Sequence, residues 1–305
     1  MGAQHQVSRD FDWNQLGTLR LRANAIADGL YIGIHRSARR GVGVEFAGRR
    51  NYVPGDDLRW LDRHALMRHG KLLVREFETD TERLLYLVMD ATASMDYRGP
   101  GSSVSKWSYA ATIAAALTRI ALAGGDPVAL DWIGGENARW LPGMRGREAF
   151  ERVVEALEST RPGSHEALSA QRFERALAPV TRYARRGTIV IVLSDLIDLP
   201  EGAVERLSEL SGERRSLVVV RVLDAAEMEF PFRGASRFVS LEGGLEVETD
   251  ASMAQAAYLE ALRNQSESIR TVLAQRGGRL LTVNTSENPI EAVRAVVDLS
   301  AARRR

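Results

Sequence analysis

The feature that most limits how this chain can fold is an alternation that begins at Leu84 and runs to the C-terminus. Short apolar runs of strand length are separated there by stretches of helical character. "RLLYLVMD", "DPVALDWIGG", "GTIVIVLSDLID", "RSLVVVRVLD" and "RLLTVNT" read as strands, the third a buried β-branched run. Between them, "KWSYAATIAAALTRIALAGG" is a helix stopped by Gly124-Gly125. "REAFERVVEALEST", "AQRFERALAPVTRYARR" (with Pro179 as a kink or break), "GAVERLSELSG", the span from Ala251 to Gln275 and "PIEAVRAVVDL" are further helices. "SRFVSLEGGLEVETD" reads as a hairpin turning at Gly243-Gly244. Strands and helices in this order predict an α/β fold with a mostly parallel sheet covered on both faces.

The chain before this series has a different texture. "WNQLGTLRLRANAIADGLYIG" carries Leu16, Leu19, Ala23 and Ile26 at helical spacing. An Arg- and Gly-rich stretch follows, then Pro54-Gly55 with Asp56-Asp57, a strong turn signal, and "KLLVREFETD", a strand. The expected organisation is a leading helix plus a small β-rich element over 1–81 and the α/β domain over 82–305.

Composition removes several classes of function. The 41 basic and 40 acidic side chains nearly cancel, so charge provides no drive toward nucleic acid or an anionic membrane. With no cysteine, disulfides, thiolate metal sites and cysteine nucleophiles are excluded. The polar start lacks the apolar core of a secretory signal, and no apolar run reaches membrane-spanning length. The expectation is a soluble cytoplasmic protein without membrane insertion.

Open parallel sheets take ligands beyond the carboxyl ends of their strands. Two acids stand at such ends, Asp90 in "VMDATASMD" and Asp195 in "VLSDLID". After Asp90 come Thr92 and Ser94 at alternate positions. One reading is a helix cap following a strand. The other is a divalent-cation site, because Mg2+ takes oxygen ligands and keeps several waters. Two such acids on separate strands of one sheet bring the second reading level with the first.

"DATASM" resembles the metal-ion-dependent adhesion site of von Willebrand factor type A domains, whose first loop reads Asp-x-Ser-x-Ser. The resemblance implies that Asp90, Thr92 and Ser94 ligate Mg2+ (or Mn2+ or Ca2+), with Asp195 completing the site, directly or through water. The second loop of that family supplies a Thr; in "STRPGSHEALSAQRF" no Thr stands in the expected place, and Ser164 or Ser169 would replace it. A partner's Asp or Glu would fill the open coordination position.

From Leu30 to the C-terminus the chain is also similar to the bacterial domain-of-unknown-function family 58. The signature residues are Arg50, Tyr52, Gly55, Asp56, Asp57, Arg59, Asp62, Ala65, Leu72, Val74, Arg75 and Glu76. Arg63 and Leu66-Met67-Arg68 depart from its usual pattern. Asp56 and Asp57, beside Arg49, Arg50 and Arg59, suit a carboxylate–guanidinium clasp that holds the β-rich element, or a partner-binding surface. The resemblance implies a non-enzymatic protein-binding module and, as one partner class, the MoxR-type AAA+ ATPases.

A rival is Mg2+-dependent phosphoryl transfer of the haloacid dehalogenase type. It needs a second acid where Thr92 stands and a cation later in the chain, usually lysine, whereas the only lysines are Lys71 and Lys106. A metal-free scaffold is the third reading. His64 and His69 have no clear third ligand nearby for zinc, and no phosphate-binding Gly-x-x-x-x-Gly-Lys loop exists.

Overall fold

The computed structural model describes residues 17–37, 46–53, 65, 67–68, 70, 72–77, 83–163, 168–197, 199–212, 215–241 and 246–301. Its centre is a six-stranded sheet. The strands are β3 (Leu85–Ala91), β4 (Val128–Gly134), β5 (Leu141–Met144), β6 (Ile189–Ser194), β7 (Ser216–Leu223) and β10 (Arg279–Asn284). They lie in the order β10-β7-β6-β3-β4-β5. All neighbours run parallel except β5, which pairs antiparallel with β4 at one edge. The α/β expectation with a mostly parallel sheet is met.

Every residue of β3 is buried, because helices cover both faces. The two-residue period of a strand then sorts its side chains into two cores. Leu85, Leu87 and Met89 face one core, built with α1 (Leu19–Ser37), α2 (Lys106–Ala123), α3 (Gly146–Ser159) and α8 (Pro289–Ala301). Tyr86 and Val88 face the other, built with α4 (Ala170–Tyr183), α5 (Ala203–Ser208) and α7 (Ala251–Gln275). Helix α2 runs under the sheet as an alanine-rich rod, with Ala110, Ala111, Ala114 and Ala115 all buried. Small side chains let it approach both the sheet and α1. Ser105 caps it by accepting from the Ser108 amide, and Gly124 closes it. Helix α1 sends Leu19, Ala23 and Ile26, at the spacing read from the sequence, and also Leu30 into the same core as the sheet, while Leu16 lies outside the described residues.

Three other elements complete the picture. Strands β1 (Phe46–Asn51) and β2 (Leu73–Phe77) form a separate antiparallel pair. Strands β8 (Ala235–Val239) and β9 (Glu246–Asp250) pair antiparallel, as expected, while the turn residues Gly243 and Gly244 lie outside the described residues. The pair rests on an aromatic cluster in which the Phe230 ring lies 5.4 Å from Phe238 and 4.6 Å from Tyr258. A short helix, α6 (Ala225–Glu229), follows β7 directly. Pro179 sits inside α4 without ending it. Strand β5 and helix α6 have no counterpart in the sequence reading. A four-residue edge strand containing Pro142 and Gly143 shows neither alternation nor β-branching, and α6 is barely more than one turn.

Candidate functional site

The site forms where β3 and β6, adjacent and in register at Met89 and Leu193, both end. That register sets Asp90 beside Ser194, whose hydroxyl donates to Asp90 Oδ2 at 2.5 Å. Asp90 Oδ1 accepts from the Thr92 amide at 3.0 Å and from Thr92 Oγ1 at 2.7 Å. Thr92 Oγ1 is in turn 3.1 Å from Ser94 Oγ, in the 3-10 turn Ala93–Asp96. Thr92 precedes that turn, yet its side chain makes no cap hydrogen bond. Instead its hydroxyl faces Asp90 and Ser94, so the first loop gathers three side-chain oxygens at one point.

Asp90 is completely buried, and every hydrogen bond it accepts among the described residues comes from a neutral donor. Burial pushes its carboxyl up to about 7, and neighbouring Asp195 pushes in the same direction, while the hydrogen bonds oppose both. A buried carboxylate without a counter-cation is costly, so this position favours a proton or a metal ion.

Asp195 has a different environment. Its Oδ2 is 2.7 Å from Lys106 Nζ, and its Oδ1 accepts from the Ile197 amide. Leu196 between them adopts a left-handed backbone, with φ at 57°, uncommon for a branched residue and costing on the order of 1 kcal/mol. That turn also lets the Leu196 amide reach Ser194 Oγ. Lys106 Nζ lies a second time at 2.7 Å, from Glu227 Oε1 on α6. Glu227 is itself fixed, because its Oε2 accepts from the Asp224 amide in a capping box. Burial on its own would lower the Lys106 pKa; the two carboxylates outweigh it and raise it. Burial pushes Glu227 up although Lys106 pulls it down. The short contacts mark Lys106 as charged and clasped.

Arg221, fully buried in β7, donates to the Asp195 carbonyl and to Ser266 and Gln265 on α7. Close packing holds the loops together. A Cβ on Gly99 would stand 2.2 Å from Asp224 Oδ1, and one on Gly135 would stand 2.7 Å from the Ala91 Cβ. Only glycine admits those approaches.

The chain between α3 and α4 passes over the end of β3, where the Gly163 amide donates to the Ala91 carbonyl. Ser164, next along, lies outside the described residues. Ser169 accepts from the Arg172 amide and so caps α4. Thr160, at the start of the same loop, is buried against Gly135, and its hydroxyl has no hydrogen-bond partner among the described residues. In the β-rich element, Arg50 pairs with Val74 in the β1–β2 ladder, and the Tyr52 amide donates to the Leu72 carbonyl. Asp56, Asp57, Arg59 and Asp62 lie outside the described residues, as do His64, His69 and His165.

The donors fit a hard divalent cation. All are oxygens, and among the described residues the one ionisable donor of the first loop has no counter-charge. Among the described residues no group of three or more His, Asp or Glu gathers as a metal cluster, here or elsewhere, so the site offers two acids and otherwise hydroxyls. The sequence reading did not foresee Lys106, Ser194, Arg221 or Glu227. Arg221 had a visible signal, a lone charge inside "LVVVRVL", because a charge in a buried strand must find partners. Lys106 had only the rarity of lysine.

The fold is an α/β sheet, parallel but for one antiparallel edge strand, with Asp90 and Asp195 in loops at its carboxyl edge. The chain belongs to the family described as protein of unknown function DUF58, whose model matches residues 48–268. Uncharacterized proteins of Mycobacterium tuberculosis and Mycobacterium bovis are each 26% identical over 294 residues, covering 95% of this chain and 89% of theirs. Among solved structures, the chain is similar to a conserved hypothetical protein, BatB, from Bacteroides thetaiotaomicron. That match has a TM-score of 0.47 and 17% identity, covering 72% of this chain and 99% of the other. A von Willebrand factor type A protein from Catenulispora acidiphila matches with a TM-score of 0.41 and 14% identity, over 75% of this chain and 43% of the other. Among the described residues, no helix is long and apolar enough to cross a membrane.

Proposed function

We propose that this chain is a non-enzymatic protein-binding module whose contact point is the Asp90–Thr92–Ser94 cup, and that binding depends on a divalent cation. The observation that carries the reading is the buried Asp90 carboxylate, which among the described residues meets only neutral donors, beside a second acid. When bound, Mg2+ or Mn2+ would supply an electrophilic position open to the Asp or Glu of a partner. Asp90, Thr92 and Ser94 would hold it, with Asp195 beyond them and a second-loop hydroxyl from Ser164, Ser169 or Thr160. The family resemblance puts a MoxR-type AAA+ ATPase first among the partners to test.

Against phosphoryl transfer, the second position after Asp90 is a hydroxyl, Thr92, rather than an acid. The fold does bring a lysine to the site from earlier in the chain. Its ammonium, however, is sealed between Asp195 and Glu227, with 1% of the side chain exposed, and is not free to grip a phosphoryl group.

The test is retention of the purified ATPase on immobilised protein, wild type and Asp90→Asn, in Mg2+ and in EDTA. Retention in Mg2+ that EDTA and Asp90→Asn both abolish is expected. Retention indifferent to both would sink the metal bridge. In parallel, Mn2+ should raise the melting temperature of the wild type and not of Asp90→Asn, by mass action on the folded state.

A further inference from the structure

Lys106 is the first residue of α2, a position where a cation is opposed twice. The helix N-terminus carries a partial positive charge, and burial at 1% side-chain exposure removes water from the ammonium. Two carboxylates from different elements overcome both terms. Asp195 comes from the end of β6 and Glu227 from α6, each at 2.7 Å. The Tyr97 ring, 5.5 Å from Nζ, closes another side. A clasp built from three separate elements, against two opposing electrostatic terms, is a specific arrangement and not a solvated surface pair.

Its consequence for the neighbouring cup follows from charge. Asp195 is the second acid of the site, and its Oδ2 is already committed to Lys106. Held 2.7 Å from that acid, Lys106 also brings a unit positive charge to its side of the site. We infer that Lys106 is a built-in competitor for Asp195, which keeps the divalent-cation affinity of the isolated protein low. A partner's carboxylate then supplies the ligand that Asp195 withholds, so cation uptake and partner binding reinforce one another. This rests on the metal-dependent reading above and adds its regulation; Lys106 acts through Asp195 as a positioning residue.

The test is Mn2+ binding by isothermal titration calorimetry at fixed pH on wild type, Lys106→Met, Glu227→Gln and Asp90→Asn. Removing the ammonium frees Asp195 and lifts the repulsion, so Lys106→Met should bind Mn2+ more tightly by about tenfold or more. Glu227→Gln leaves the ammonium entirely to Asp195 and should weaken Mn2+ binding several-fold. Should Lys106→Met fail to fold, Glu227→Gln decides: affinity unchanged or raised overturns the inference. Folded Lys106→Met that binds no more tightly than wild type also overturns it. If wild-type binding is in that case measurable and lost in Asp90→Asn, the metal-dependent reading stands without it. If no variant takes up Mn2+, both fall together.

Discussion

Two buried aspartates on neighbouring strands of one sheet face had opposite fates. Asp131, in the middle of β4, sits beside Val88 of β3; Asp90 lies two residues further along β3, at its end. Asp131 accepts from the Trp132 amide and from Tyr86 Oη, and Tyr86 Oη accepts from Trp140 Nε1. Trp140 stacks on Tyr183 with ring centroids 5.1 Å apart. That network is local, neutral and wrapped in aromatic rings. Asp90 also has neutral donors, but it lies where loops converge, beside Asp195, Lys106, Glu227 and Arg221. Burial raises both acids, so burial alone does not make a site. What distinguishes Asp90 is its place at a strand end, where loops can bring further charges beside it.

The sharpest way to break this comparison is to remove the cation from the charged region. Lys106→Met leaves Asp195 and Glu227 buried without their shared counter-ion and should cost about 3–5 kcal/mol in EDTA. Urea denaturation checks it, and a loss below about 1 kcal/mol would show that the clasp is incidental.

In the neutral region the sign reverses. Burial raises the Asp131 carboxyl from 3.8 to about 6, so the native state holds its proton more tightly than the unfolded chain does. The resulting stability is complete below pH 4 and is lost as pH rises through about 6. Asp131→Asn keeps the shape without the charge. It should be more stable than wild type at pH 8 by roughly 3 kcal/mol at most, with the gain vanishing near pH 4. Denaturation at the two pH values decides; an equal difference at both would mean that Asp131 does not titrate in this window.

The smallest effect is expected at Thr160. Its buried hydroxyl has no partner among the described residues, so Thr160→Val should be neutral or stabilising by up to about 1 kcal/mol. A clear loss of stability would reveal a hydrogen bond to that hydroxyl. Unchanged stability with weakened Mn2+ binding would assign it to the cup in place of Ser164 or Ser169.

Much of this was legible along the chain, for reasons of period. Strands such as "TIVIVLS" and helices such as Ala251–Gln275 declare themselves because burial on one or both faces imposes a repeat. Asp90, Thr92 and Ser94 are neighbours in sequence, so one loop suffices to bring them together. Strand β5 and helix α6 escaped because four and five residues are too short to show a repeat. Glu227 could not be foreseen as a partner of Lys106, 121 residues away. Lys106 reaches the second acid from earlier in the chain, because strand order, not chain order, decides which groups meet.

The amino-acid sequence by itself determined the α/β class, the parallel sheet and the two acids at strand ends, since each follows from local periodicity and from where apolar runs stop. Only the tertiary structure decided which charges stand together. Crossover connections carry α2, β6, β7 and α6 to one edge of the sheet, and there burial obliges Lys106, Asp195, Glu227 and Arg221 to find one another. Among the described residues, Asp90 is left beside them with hydroxyls and an amide, but no counter-cation, as its partners.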